Sequence, residues 1–176
     1  MQLTDRELWA VIHGLVLGTL FLLAFAGGLA GLWSLKARYL TAEGVAERSP
    51  RLLIGTWVMA IVAWLTVYTG TWIVYPWYRA PAPEGADLTG FPRNFLLANP
   101  NLSAWHTFGM EWKEHVAWIA PMLATSVAFV ILYYGVQLVR RQELRWPLIV
   151  AFSLAFGTAG IAGLFGAFIT KAAPIY

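Results

Sequence analysis

The chain has 176 residues, of which 59% are hydrophobic and 12% are charged, and its mean hydropathy is +0.62. This composition excludes an ordinary soluble domain and indicates a protein that spans a membrane. The formal net charge of +3 does not require a nucleic-acid partner, because the basic residues are concentrated in two of the loops.

Four apolar segments are each long enough to cross a membrane as a helix, which takes about 20 residues. We place the helices at residues 8–35, 52–77, 103–139 and 146–170. They predict an all-α integral membrane protein with one domain, a four-helix up-down bundle. The first segment is too long for a cleavable signal peptide, so we expect it to be retained. In the fourth helix we expect Pro147 to lie in the first turn.

The orientation of the bundle follows from the positive charges in the loops. The first and third loops carry most of them, at Lys36, Arg38, Arg48, Arg51, Arg140, Arg141 and Arg145. Because basic loops stay on the cytoplasmic side, we expect both termini and the second loop to face outward. The location that fits is a bacterial inner membrane, with the termini in the periplasm.

The second loop, between helices two and three, is more apolar than a simple linker. Its large apolar side chains are Phe91, Phe95, Leu96, Leu97, Trp105, Phe108 and Trp112. Such a loop either covers the outer end of the bundle along the membrane interface or docks a partner. The ten tryptophans and seven tyrosines lie mostly near the predicted membrane ends, as is typical of an aromatic belt.

The absence of cysteine limits the redox chemistry that is open to the chain. It excludes disulfides, a covalently attached c-type haem and thiolate iron–sulfur sites. Any redox centre must therefore use histidine, methionine, carboxylate or tyrosine side chains.

Two histidines, His13 and His115, stand near the starts of two helices that should cross the membrane in the same direction. Their rings should therefore lie at similar depth. Two neutral imidazoles on parallel helices can bind a haem iron from opposite sides. A polar ring at position 13 costs free energy unless it is hydrogen-bonded or ligated, and an ordinary hydrogen bond remains the alternative.

The neighbours of the two histidines allow more than one interpretation. Gly14 and Gly18 either admit a porphyrin face or let another helix approach closely. Glu111, four residues before His115, would either orient a metal-bound imidazole or form an interfacial pair with it. His106 is an alternative ligand, and we expect it to lie outside the hydrocarbon, where water can reach it.

Charged residues near the predicted outer face suit a haem and its reactions. Arg79, Arg93 and Lys171 could neutralise haem propionates. Glu111 or Glu114 could accept a proton if quinol is oxidised nearby. A copper or zinc site built from His13, His106, Glu111 and His115 ranks below haem, because no zinc signature is present and the two helical histidines suit a planar cofactor better.

With His13 and His115 in a four-helix topology, the chain resembles the small membrane b-type cytochromes that serve as electron-transfer subunits of respiratory complexes. The resemblance implies one non-covalent haem b, bis-imidazole ligation, and electron exchange with quinone or a neighbouring redox subunit. No histidine lies in the inner half of any predicted helix, so a second haem is not expected.

An alternative of a different class is a cofactor-free accessory subunit of a larger membrane complex. Its docking surface would include the apolar second loop and a stripe of small residues on the fourth helix: Gly157, Gly160, Gly163 and Gly166. Catalysis by the chain alone is not supported, because no set of nucleophile, base and orienting group is evident.

Overall fold

The structure is a computed structural model and describes residues 3–36 and 40–173. It is 85% helical, and no strand occurs in the part that it describes. Four helices are long and apolar enough to span a membrane: α1 (Asp5–Ser34), α2 (Ala42–Tyr78), α4 (Trp105–Arg140) and α5 (Gln142–Ala172). A short helix, α3 (Pro92–Ala98), lies in the loop between α2 and α4. The predicted all-α class and the four spans are confirmed.

The helix ends differ from the predicted ones because polar turns extend the apolar segments. Helix α1 begins at Asp5, where Thr4 and Glu7 form a capping box: the Glu7 amide donates to the Thr4 hydroxyl, and the Thr4 amide donates to the Glu7 carboxylate at 2.8 Å. Helix α2 begins at Ala42 rather than at residue 52. Helix α5 begins at Gln142, so Pro147 lies inside the helix, and its predicted place in the first turn is wrong.

The chain divides into two compact units. We call the first the histidine unit, because it contains all three histidines; it comprises the described residues of 1–18, 65–118 and 159–176. The second unit comprises residues 19–64 and 119–158. Each long helix contributes residues to both units.

In the described part of the chain, three π-helical segments interrupt the long helices, and all of them fall in the histidine unit. They are Val11–Val16 in α1, Gly70–Val74 in α2 and Trp105–Met110 at the start of α4. In a π-helix the carbonyl of residue i accepts a hydrogen bond from the amide of residue i+5; such segments are rare and often occur at functional sites. Two of these segments contain a histidine, so the histidine unit is the candidate for a functional site.

The core of the histidine unit joins the short helix to the ends of the long ones. Tyr78, Leu96, Met110, Ile169 and Ala173 form a buried cluster, and Leu96 is fully buried. Phe95 packs against this cluster, so α3 covers the ends of the long helices. This agrees with the first of the two interpretations of the second loop.

The remainder of the second loop is held by local polar contacts and leaves part of its apolar surface exposed. Ahead of α3, the backbone amide and the hydroxyl of Thr89 donate to Asp87 and hold the pKa of that carboxyl below its usual range. Leu97 and Phe108 remain 41% and 60% exposed and are available to lipid or a partner.

In the second unit, glycines of α1 admit side chains of other helices. The ring of Phe152 lies 2.6 Å from where a Cβ on Gly28 would stand, and Leu52 lies 2.9 Å from the same point on Gly31. Phe152 is fully buried and stacks on Phe25 at a centroid distance of 5.5 Å. A side chain at either glycine would require Phe152 or Leu52 to move from its present position.

The same unit also contains an internal arginine. Arg145 is 8% exposed, and its guanidinium donates to the carbonyls of Leu32 (3.3 Å) and Trp33 (2.9 Å). The guanidinium also lies 5.3 Å from the ring centroids of Trp33 and Trp146. The sequence had placed Arg145 in a basic loop, whereas the structure places it on α5 as a cap for α1. Arg38, counted in the first loop, lies outside the described residues.

Candidate functional site

His13 is half-buried in the π segment of α1, and its ring faces α2. Its Nδ1 lies 3.0 Å from the hydroxyl oxygen of Thr69. That hydroxyl has one hydrogen, which it donates to the carbonyl of Leu65 at 2.8 Å. With the hydroxyl hydrogen on that carbonyl, Nδ1 donates to Thr69 and the lone pair of the neutral ring is on Nε2.

Gly70 makes room for the His13 ring. A Cβ at position 70 would stand 2.9 Å from Cε1 and 3.5 Å from Nε2 of His13, so only glycine allows the ring its position. Sequence reasoning missed both Thr69 and Gly70. They lie 56 and 57 positions from His13 in the chain, and no local pattern links a ring on one helix to a gap on another.

His115 has different surroundings, since its side chain is 72% exposed. Its Nδ1 lies 2.9 Å from the backbone carbonyl of Glu111 and 3.7 Å from the carboxylate of the same residue. The carbonyl can only accept, so Nδ1 carries the hydrogen and Nε2 keeps its lone pair. The structure places Glu111 beside His115, as the spacing of four residues suggested, but the ring bonds to the backbone carbonyl and not to the carboxylate. The ring is accessible from the surface of the unit.

His106 is buried, with 7% of its surface exposed. Arg93 Nε donates to Nε2 of the ring at 3.4 Å, and Nδ1 lies 2.9 Å from the hydroxyl oxygen of Tyr78. Arginine can only donate, so Nε2 accepts and the neutral ring donates from Nδ1 to Tyr78. The expectation that water reaches His106 is wrong, because the core of the histidine unit extends over this turn of α4. Both ring nitrogens are engaged.

A second polar contact lies close to Tyr78 and His106. Arg79 Nη1 donates to the hydroxyl of Tyr75 at 2.7 Å. The Oε1 atom of Glu114 is buried without a hydrogen-bond partner. Sequence reasoning named Arg79 and Glu114 as candidates, but it attributed the tyrosines to the membrane interface.

The remaining predicted site residues are not drawn into these networks. A Cβ on Gly14 or Gly18 would meet no atom within 4 Å, so space is open beside both glycines and no helix approaches them closely. Lys171 is exposed in the last turn of α5. Arg93, a predicted propionate partner, is bonded to His106 instead.

Within residues 3–36 and 40–173, no group of three or more histidine, aspartate and glutamate side chains could hold a metal ion. The copper or zinc alternative required such a group from His13, His106, Glu111 and His115. The structure gives these side chains separate partners: Thr69 for His13, Tyr78 and Arg93 for His106, and Glu111 for His115.

The fold and the histidine unit thus define an all-helical membrane protein with a polar, π-distorted region in otherwise apolar spans. Comparison with known proteins adds no family assignment. No protein-family model, no curated protein and no solved structure matches the chain.

Proposed function

We propose that the chain is a membrane electron-transfer subunit that binds one non-covalent haem b in the histidine unit, with His13 and His115 as axial ligands. The observation that carries the proposal is the difference among the three histidines. His13 and His115 each hold Nδ1 against an oxygen and keep the Nε2 lone pair, whereas His106 engages both nitrogens. A metal-bound histidine characteristically donates its other ring N–H to an oxygen.

The surroundings of His13 fit a flat macrocycle. Gly14, the next residue, is exposed. A Cβ at Gly14 or at Gly18 would have no atom within 4 Å, so the space beside both residues is open. Thr69 would fix the plane of the His13 ring, and Glu111 would fix that of His115. The bound haem would supply reversible one-electron chemistry, and the chain would hold, orient and shield it.

The proposal extends to orientation and partners. The basic first and third loops favour an up-down bundle with both termini outside, in a bacterial cytoplasmic membrane. The site would then lie near the outer face and exchange electrons with quinone or with a neighbouring redox subunit. The chain would be a component of an oxidoreductase complex and not an enzyme by itself.

The test is the dithionite-reduced minus oxidised absorption spectrum of the purified protein, expressed with adequate haem supply. Two imidazole ligands should give a low-spin b-type spectrum. Both His13→Ala and His115→Ala should lose or change this spectrum. His106→Ala is the matched control and should keep it, because both nitrogens of His106 are already engaged.

Two results would contradict the assignment in different ways. A wild-type protein that contains no haem would defeat the electron-transfer function. A spectrum lost only in His106→Ala would keep the cofactor class and reject His13 and His115 as its ligands.

A cofactor-free accessory subunit is the second candidate, and one observation favours it. A Cβ on Gly157, Gly160 or Gly163 would meet no atom within 4 Å, so this part of the predicted packing stripe is not used within the chain. Small residues that are open on a membrane helix are available to another helix. A wild-type spectrum without haem would make this the better interpretation.

A further inference from the structure

A groove lies in the second unit, between the end of α1, the N-terminal part of α2 and the end of α4. Its volume is about 250 Å³. The residues that line it include Leu35, Ser49, Pro50, Leu53, Val136 and Val139. All of the lining residues belong to the second unit, and Val136 is 59% exposed, so the groove opens to the surface of that unit.

The last turns of α4 form one wall of the groove. The α-helical part of α4 stops before Gly135, whose φ of +50° favours glycine. Residues Gly135–Arg140 then form a 3₁₀ helix. The side-chain amide of Gln142 donates to the carbonyls of Leu35 at 3.2 Å and Val139 at 2.6 Å. Hydrogen bonds therefore hold this wall against the end of α1.

The size and the lining of the groove fit a hydrocarbon chain. A volume of about 250 Å³ is smaller than the about 300–1,000 Å³ of pockets that enclose a drug-sized ligand, so the groove has no room for a ring system as large as haem. Ser49 is the one polar residue among those that line it, and the others are apolar. Because a lipid tail is as apolar as leucine, the fit of the chain does not select one lipid, and selection must come from the headgroup.

Two polar groups lie at the end of the groove that is closer to the start of α2. Arg48 is four residues before Leu52, which also lines the groove, so the two share one face of the helix. The Ser49 hydroxyl is half-buried and makes no hydrogen bond with the described residues. By contrast, the hydroxyls of Ser34 and Thr56 donate to carbonyls of their own helices.

The charged residues next to the groove are mainly basic: Arg48, Arg51, Arg140 and Arg141 against Glu47 and Glu143. Each glutamate pairs with an arginine, Glu47 with Arg51 at 2.8 Å and Glu143 with Arg141 at 3.5 Å. Within residues 3–36 and 40–173, Arg48 and Arg140 have no anionic partner. Charge complementarity therefore favours an anion at this end of the groove.

We infer that the groove binds one phospholipid with an anionic headgroup. One acyl chain lies between Leu53 and Val136, and the phosphate accepts charge-assisted hydrogen bonds from Arg48 and a hydrogen bond from the Ser49 hydroxyl. Basic pockets between membrane helices bind anionic lipid headgroups through the same chemistry. The site lies in the second unit and does not depend on haem.

The experiment is native mass spectrometry of the full chain, purified in detergent, with added phosphatidylglycerol or phosphatidylcholine of identical acyl chains. The wild type should bind phosphatidylglycerol at least about tenfold more tightly, as expected for hydrogen bonds to a charged group. Arg48→Gln should lose this preference. Arg6→Gln removes the same charge from the histidine unit and should keep it.

A second pair of variants tests the groove itself. Leu53→Trp and Val136→Trp add a large ring to two different walls, so both should lose the phosphatidylglycerol adduct. Ile54→Trp and Leu132→Trp are the matched controls, because these residues are 63% and 50% exposed and do not line the groove. The two positions on separate helices keep the test valid if one variant fails to fold.

Three results would overturn the inference. The first is equal affinity of the wild type for the two lipids. The second is a phosphatidylglycerol preference that survives Arg48→Gln, or an adduct that survives the tryptophan variants, since the lipid would then bind elsewhere. The third is a dimer that forms without lipid and is lost in Leu53→Trp and Val136→Trp, which would assign the groove to a second copy of the chain.

Discussion

Tyr78 and His106 form a buried polar pair within an apolar core. Both are 7% exposed, and the only polar group that faces the Nδ1 hydrogen of His106 in the described structure is the Tyr78 hydroxyl, at 2.9 Å. A buried donor that loses its acceptor retains the full cost of its desolvation. The pair therefore contributes more to the uniqueness of this core than its single hydrogen bond suggests.

Tyr78→Phe removes that acceptor and keeps the ring. We expect it to lower the free energy of unfolding by about 1–3 kcal/mol, the cost of an unsatisfied buried donor. The measurement is thermal or denaturant unfolding in detergent, followed by the near-ultraviolet signal. Tyr133→Phe is the control, because Tyr133 is 74% exposed and should tolerate the change. Equal stability of the two variants would show that the hydrogen bond is not needed.

At the scale of the helix, the end of α1 is completed by side chains of α5. The last carbonyls of any helix lack an intrahelical partner, and glycine or lysine near the end usually satisfies them. Here Arg145 donates to the carbonyls of Leu32 and Trp33, and Gln142 donates to that of Leu35 at 3.2 Å. Two helices that are distant in sequence thereby share one capping arrangement.

Arg145→Met keeps much of the side-chain length and removes the donors. We expect a loss of about 2–3 kcal/mol in the free energy of unfolding, because hydrogen bonds from charged groups are lost and carbonyls are left unpaired. Arg140→Met is the control, since Arg140 is exposed. The comparison is made by unfolding in the same detergent. Indistinguishable transitions for the two variants would contradict the capping role.

The sequence predicts well what depends on short stretches of chain. Apolar length alone located the four spans, and the spacing of four residues correctly placed Glu111 beside His115. The sequence could not predict the contact of His13 with Thr69 and Gly70, because this contact joins two helices that are 56 positions apart in the chain. The burial of His106 was equally hidden, because it depends on how α3 packs on the ends of other helices.

For the whole molecule, the distribution of charge still predicts the orientation after one correction. Arg145 no longer counts among the positive charges of the third loop, because it is buried and hydrogen-bonded. Arg140 and Arg141 remain near that loop, and Lys36, Arg48 and Arg51 remain near the first. The positive charge therefore still favours a cytoplasmic position for both loops.

A reporter placed after Thr41, just before α2 begins, should be cytoplasmic, and one placed after Ala86 should be external. The measurement is the activity of paired reporters that function on opposite sides of the membrane. A reporter after Leu3, ahead of α1, should behave like the one after Ala86, because an even number of spans separates the two positions. The opposite labelling at all three positions would place the histidine unit at the cytoplasmic face.

The three π segments also bear on how this protein can change over evolution. Each closes its hydrogen bonds over one residue more than an α-helical turn does, so that a single codon accounts for the difference. Removing that codon would restore an ordinary helix and rotate one side of it by about 100°, the angle between successive residues. His13 or His106 would then turn away from its present partner although its codon remained intact. Among descendants of this gene, a one-residue gap at these places would therefore mark loss of the site more reliably than replacement of a histidine.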